Sequence, residues 1–297
     1  MNPVLFAVSG VETWLWLPPL AAFVVSFFCS MVGISGAFLL MPFQMSVLGF
    51  AGPAASATNL VFNLFATPGG VWRYARDSRM AWPLARLIIL GTLPGVVLGF
   101  YLRTLYLPDA ARFKLFVGVI LLYLAWRLLG EFAPWKKRRH TLSPAGGSAL
   151  RLIRSDWRRM AFTFGEHEYG FSVPAMLVLA FVVGIIGGTY GIGGGAIIAP
   201  FCIAIFRLPV VLVAGAALAG TFATSVFGVI VYSMLPLPDG GHASPDWALG
   251  TLFGLGGLAG MYLGAATQKH IPQRVLKMGL GVVLSGLGGM YLWPGLA

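Results

Sequence analysis

From Thr13 to Trp72 the chain contains no Asp, Glu, Lys or Arg. Similar charge-free runs lie between Glu168 and Arg207, between Arg207 and Asp239, and after Lys277. A water-soluble fold cannot hide that much apolar chain. Of the 297 residues, 58 % are hydrophobic and 10 % charged, against roughly 25 % charged in soluble domains. About 20 apolar residues in a helix cross a bilayer core of roughly 30 Å. The runs are continuous, whereas a barrel needs short alternating strands. The chain therefore reads as an all-α integral membrane protein with many crossings. Its start, MNPVLFAVSGVETW, has no basic region leading to a cleavage site and reads as mature protein.

The formal charge of +11 would suit nucleic acid if it formed one patch. Instead it is split among Arg73/Arg76/Arg79, Lys136 to Arg139, Arg151 to Arg159, and Lys269/Arg274/Lys277, each beside an apolar run. That is the distribution of cytoplasmic flanks in membrane proteins, so no nucleic-acid partner is expected. Cys29 and Cys202 sit in apolar runs and read as small buried hydrophobes. All four histidines fall in polar connections, so no intramembrane metal site is encoded. No cofactor is expected.

The chain repeats itself. AFVVSFFCSMVGISGAFLLMPF (22–43) aligns without a gap on AFVVGIIGGTYGIGGGAIIAPF (180–201), with nine of 22 positions identical. LGTLPGVVLG (90–99) then matches LGGLAGMYLG (255–264), and Lys114 and Gly118-Val119 match Lys277 and Gly281-Val282. Two copies of one unit, about 14–131 and 173–294, give two transmembrane repeats, 1–131 and 173–297. Between them lies a basic linker, 132–172. Within it Leu150, Ile153, Trp157, Met160, Ala161 and Phe164 share one face of a helical wheel, with Arg151, Arg154 and Arg158 on the flank. The expectation there is an amphipathic helix in the headgroup layer.

Basic residues set the orientation. Arg73–Arg79, the linker and KHIPQR (269–274) should be cytoplasmic, and LPDGGHASPD (237–246) outside. Corresponding loops of the two copies then fall on opposite sides, so the repeats have inverted topology and both termini lie outside. Conventional spans are expected at 54–72, 82–103, 110–131, 209–235, 247–267 and 275–293. Ahead of each set lies a longer stretch, 14–50 or 173–206, interrupted by glycine. The expected total is about five segments per repeat and 8–10 crossings, with broken or re-entrant helices at the glycine motifs. Trp14, Trp16, Trp72, Trp82, Trp126, Trp247 and Trp293 fall near span ends, as an interfacial belt does.

Paired Gly/Pro-interrupted segments in inverted copies are the sequence mark of a transporter site near the midplane. Glycine lets the backbone leave the helix, and the half-helix beyond it presents N–H groups and a dipole that suit an anion. Such backbone is tolerated at depth only where it is buried in protein or lines a cavity. The candidate binding positions are Gly33, Ser35, Gly36 and Ala37 in the first copy. In the second they are Gly191, Gly193, Gly194 and Gly195. Gln44, Thr58, Asn59, Asn63, Thr221, Thr224 and Ser225 would add hydroxyl and amide groups. A nucleotide loop is excluded, because no lysine follows either motif. All nine acids lie in connections or at span ends, so no buried carboxylate is expected, which argues against a cation pathway. Arg86, Lys114 and Lys277 are read as snorkelling to the interface.

With their Gly-rich breaks ending in Pro42 and Pro200, their Thr/Ser-containing spans and the pairs Gly95/Gly99 and Gly260/Gly264, the copies resemble the sulfite exporter TauE/SafE family of membrane permeases. The resemblance covers nearly everything outside the linker. It implies an exporter of small sulfur-containing anions, such as sulfite or sulfonates, or of related organic acids, in a bacterial inner membrane. The first motif departs from the second at Ser35 and Ala37, and the basic linker is longer than the family's short connection.

The sequence thus points to a secondary transporter working by alternating access, with a small anionic substrate and membrane lipids as partners. Coupling to H+ or Na+ and the oligomeric state stay open. A channel using the same site and a permease for small carboxylates are the alternatives. A membrane-embedded enzyme is disfavoured, for want of an intramembrane acid, histidine or cysteine pair.

Overall fold

The computed structural model describes residues 3–32, 34–77, 80–130, 151–164, 167–238, 240–267 and 271–293. A hairpin of β1 (Val4–Phe6) and β2 (Val11–Thr13) leads into α1 (Leu17–Val32), α2 (Ala37–Ser46), α3 (Pro53–Ala66), α4 (Pro68–Arg76) and α5 (Trp82–Tyr101). A π-helical turn (Leu102–Tyr106) and α6 (Ala110–Gly130) close the first copy. Strands β3 (Arg151–Ser155), β4 (Arg159–Phe164) and β5 (His167–Ser172) precede the second. That copy comprises α7 (Val173–Tyr190), α8 (Gly194–Ile205), α9 (Val210–Met234), α10 (Trp247–Thr267) and α11 (Gln273–Leu292). Among the described residues, six helices are long and apolar enough to cross a membrane, while α1, α2 and α8 are shorter apolar helices. The chain is an all-α integral membrane protein, with two small sheets among the described residues.

Proline places several helix starts. Helices α3, α4, α5 and α7 each carry one in the first turn, where the missing N–H would have no helical partner anyway. Pro68 has a further effect: it starts α4 directly after Thr67, so the single span expected over 54–72 is split into α3 and α4.

The copies pack crosswise, and the packing is reciprocal. On α5, added methyls at Gly91, Gly95 and Gly99 would strike the α7 backbone at Leu177, Phe181 and Ile185. On α10, Gly256, Gly260 and Gly264 meet the α1 backbone at Pro19, Phe23 and Phe27 in the same way. These are the positions that the alignment of the copies pairs with one another. Small residues on one face let two helix backbones touch where lipid supplies no hydrophobic drive. The third interface, α6 on α11, follows the same rule: Gly118 lies against Leu292 and Gly281 against Leu129.

The two ends of the bundle differ in charge. At one end Ser9 bonds the Asp246 carboxylate, the Asp246 N–H reaches Thr58, and Arg103 reaches Ala51. At the other, Phe171 of β5 packs at a tilt on Phe206 with ring centres 5.8 Å apart, and Tyr74 of α4 lies against Gly215. Arg73, Arg76, Arg158, Arg159 and Arg207 belong to this second end. The seven tryptophans of the expected belt are all exposed.

The linker corrects the sequence reading. Where an amphipathic helix was expected, residues 151–172 carry an antiparallel sheet of order β3-β4-β5, with a bulge between Leu152 and Arg154. Met160 and Phe162 on β4 and Phe171 on β5 are buried. Pairing on both sides of β4 satisfies its backbone, and tertiary pairing overrides a helical wheel that a short segment matched by coincidence. Residues 132–150 lie outside the described residues.

Candidate functional site

Each copy contains one helix break, and the two are built differently. In the second copy α7 ends on Gly191, in the left-handed region at φ 83°, whose N–H bonds Gly187 O at 2.9 Å. Gly193 follows at φ 73°, and α8 starts at Gly194. Non-glycine residues pay a steric penalty at such angles, so this glycine run is required by backbone geometry. The Gly194 N–H donates to Thr224 Oγ1 at 3.1 Å, and Gly195 is pressed against the α9 backbone at Ala217 and Thr221.

In the first copy α1 stops at Val32, Ile34 N–H reaches back to Cys29 O at 3.0 Å, and α2 starts at Ala37. Gly36 here is right-handed, at φ −59°. The Ser35 hydroxyl accepts the Ala37 N–H at 3.3 Å, a side chain substituting for the orphaned turn. Gly33 lies outside the described residues.

Helix α3 joins the two breaks. Its Ser56, Asn59 and Asn63 fall on one face at helical spacing. Asn59 Nδ2 donates to Ala37 O at 3.1 Å, and Gln44 Nε2 donates to Asn59 Oδ1 at 3.4 Å. Ser56 Oγ donates to Thr189 O in the last turn of α7 at 3.0 Å, and its backbone abuts Gly191. The breaks also touch directly: Tyr190 OH donates to Phe38 O at 2.7 Å. On α9, Thr221 Oγ1 donates to Ala217 O, and Thr224 Oγ1 lies within reach of Gly220 O and Thr221 O. Thr58 stands apart, donating to Ala54 O and accepting the Asp246 N–H. Gln44, Thr58, Asn59, Asn63, Thr224 and Ser225 are all fully buried, and Thr221 nearly so.

Several of these groups have no partner among the described residues. Both amide atoms of Asn63, the Ser225 hydroxyl and Gln44 Oε1 are buried without a hydrogen bond. More than nine buried polar groups in ten are satisfied in folded proteins, so orphans on α2, α3 and α9, the helices that form or support the breaks, need an explanation. Conversely, the N–H groups expected to be free at the breaks are largely taken. Gly191 and Ile192 bond Gly187 O, Gly194 bonds Thr224, and Ala37 bonds Ser35. Any ligand at Gly194 would have to displace the Thr224 hydroxyl.

Three residues of this region escaped the sequence reading. Ser56 and Tyr232 anchor the last carbonyls of α7, Tyr232 OH to Gly188 O at 2.9 Å. Arg103 is fully buried and donates to Ser56 at 3.3 Å. Its signal was visible: a single basic residue inside LGFYLRTLYL, where an apolar run continues on both sides. Asp246 corrects the expectation that no carboxylate is buried, being only 2 % exposed. It caps α10, accepting the Leu249 N–H at 3.0 Å.

A family model described as "Sulfite exporter TauE/SafE" matches residues 19–291. The chain belongs to the sulfite exporter TauE/SafE family. Among curated relatives, "Probable membrane transporter protein YunE" of Bacillus subtilis is 21 % identical over 90 % of this chain and 93 % of its own. A "Probable membrane transporter protein" of Xylella fastidiosa is 25 % identical, covering 91 % of each. No solved structure matches this TauE/SafE chain. It is a multi-pass membrane transporter of a bacterial transporter family.

Proposed function

We propose that this protein is a secondary transporter that exports small anions, in particular sulfur oxyanions such as sulfite and sulfonates, by alternating access. The observation that carries this reading is the set of orphaned side chains, Asn63 and Ser225 above all, buried on α3 and α9, the helices whose Asn59 and Thr224 hold the two breaks. An anion would satisfy the Asn63 amide N–H groups and the Ser225 hydroxyl together. It would also gain the Gly194 N–H at the start of α8 once Thr224 turns away. Glycines 33, 36, 191, 193, 194 and 195 would let the backbone come close, and Ser35, Ala37, Gln44, Asn59 and Thr221 would shape the walls. Thr58 belongs to the rim, through its bond to the Asp246 backbone.

Reciprocal packing supports the motion. Glycine-faced contacts of equal register on α5/α7 and α10/α1 suit one copy rocking against the other around a fixed site, the mode of inverted-repeat transporters. In this reading the repeats are inverted, the basic end faces the cytoplasm of a bacterial inner membrane, and the end holding Asp246 faces out. Membrane-impermeant labelling of single cysteines at His242 and Trp157, both exposed, tests the orientation. Labelling of both from one side removes it.

Transport is tested in proteoliposomes. Saturable sulfite uptake, competed by a sulfonate and driven by an imposed H+ or Na+ gradient, is the expected result. Conductance that never saturates would make the protein a channel, and uptake of small carboxylates alone would change the substrate class.

A further inference from the structure

Among the described residues Arg103 is the largest fully buried side chain, at 0 % exposure. It lies in the π-helical turn after α5, where Arg103 and Thr104 face inward while Leu105 and Tyr106 face outward. Single π turns of this kind recur at functional sites because they re-aim side chains. The guanidinium donates to Ser56 Oγ at 3.3 Å, to Ala51 O at 2.5 Å and to Leu107 O, and it lies 3.8 Å over the Phe113 ring.

All of those partners are neutral. Among the described residues no carboxylate pairs with Arg103. Asp109 pairs with the exposed Arg112, and the buried Asp246 is committed to Ser9 and the α10 N-terminus. A buried charge is ordinarily paired, because dipoles alone replace lost water incompletely. Charged residues inside membrane segments mark substrate and ion pathways by default. Guanidinium also has five N–H donors, of which three are engaged here.

The position connects this charge to the candidate site. Ser56 accepts from Arg103 while donating to Thr189 O beside the break, and its backbone touches Gly191. One side chain therefore separates the guanidinium from the end of α7. The aligned position of the second copy is Gln268, so the fixed cation belongs to the first copy only.

We propose that Arg103 is the counter-charge of the transported anion, binding an oxyanion by its two unengaged N–H groups. The inference rests on the anion-transport reading above and adds what that site lacks, a full positive charge. The planar fork matches the two oxygens of a sulfite, sulfonate or carboxylate and has no such match to a halide. The station lies at the Asp246 end of the break, so an anion meets it when leaving or entering on that side.

The test uses full-length protein, with sulfite as the probe for both thermal stabilisation in detergent and saturable uptake in proteoliposomes, and with chloride as the control. Arg103→Gln is expected to abolish sulfite-dependent stabilisation and uptake. Arg103→Lys, which keeps the charge but loses the fork, is expected to raise the half-saturating sulfite concentration at least tenfold. If Arg103 were only a clamp for the Ala51 and Leu107 carbonyls, Arg103→Gln would lower the melting temperature without ligand yet leave half-saturation unchanged. That result overturns the proposal. Should Arg103→Gln not fold, Arg103→Lys decides, and unchanged half-saturation overturns it. An inert wild type that neither binds nor carries sulfite, sulfonates or small carboxylates would remove the transport reading, and this station with it. A working wild type beside an unaffected Arg103→Gln removes the station alone.

Discussion

The two helix breaks solve one problem by different chemistry. In the second copy the chain turns through two left-handed glycines, Gly191 and Gly193, and rests Gly194 on the Thr224 hydroxyl. In the first, Gly36 keeps a right-handed conformation and side chains close the gap, Ser35 onto Ala37 and Asn59 onto the Ala37 carbonyl. One break thus rests on backbone freedom and the other on amide and hydroxyl bonding. The lesson is that an internal repeat preserves packing register more strictly than it preserves the chemistry at its special positions. The crossing helices show the strict part, the breaks and Arg103 the free part.

The largest effects should come where the copies are alike. Gly95→Ala and Gly260→Ala each drive a methyl into a facing backbone, at Phe181 and Phe23. Each should cost roughly 3 kcal/mol or more, the upper range for overpacking, and the two losses should agree to within about 1 kcal/mol. Thermal or denaturant unfolding in detergent measures this, and a strong inequality would break the reciprocity.

Next come the breaks, where the copies should part. Gly191→Ala combines a left-handed φ with a methyl 2.8 Å from Ser56 Cα, costing at least about 2 kcal/mol. Gly36→Ala is right-handed and meets first the Ser26 hydroxyl at 2.6 Å, a group that has no hydrogen bond to lose. Its backbone angles suit alanine without strain and the hydroxyl can turn aside, leaving stability within about 1 kcal/mol of wild type. Equal losses at both positions would erase the distinction drawn between the breaks.

The polar supports should follow the opposite order. Asn59→Ala strands the Ala37 carbonyl and the Gln44 amide, for a loss of about 2–3 kcal/mol, while Thr224→Val strands only the Gly194 N–H, at about 1–2 kcal/mol. The same unfolding measurement separates them, and a larger loss at Thr224 would contradict the reading that side chains hold the first break. The smallest effect on stability is also the most informative for function. Asn63→Leu removes a side chain without partners, so stability should stay within about 1 kcal/mol of wild type or rise, while sulfite uptake disappears. Uptake at the wild-type rate would return Asn63 to the role of plain packing.

Much of this was legible from residues alone. Charge-free runs identify the membrane class, and the gapless match of 22–43 with 180–201 anticipates that α1 meets α10 as α7 meets α5. The glycines of LGTLPGVVLG and LGGLAGMYLG mark the contact faces, because only a missing Cβ allows such approach. The helix breaks were legible for the same reason, glycine being the residue that can leave a helix at φ near 80°. In the candidate site, Gln44, Asn59, Asn63, Thr221, Thr224 and Ser225 stand out as polar residues in apolar runs, and all are buried.

What the tertiary structure alone decided are the matters of partnership. A helical wheel over 148–164 counts periodicity within a segment and cannot see the strands beside it, so β4 between β3 and β5 was invisible. Arg103 and Asp246 look like ordinary interfacial charges in the chain. Only the fold encloses them, giving Asp246 a helix start to cap and leaving Arg103 without a counter-ion among the described residues. Likewise, residue types show which groups can donate, but three-dimensional pairing shows that Thr224 occupies the Gly194 N–H while Asn63 and Ser225 are left open. Composition and spacing act along the chain and determine class, repeats and breaks. Burial and hydrogen-bond satisfaction depend on groups far apart in sequence, and those the packed molecule determines.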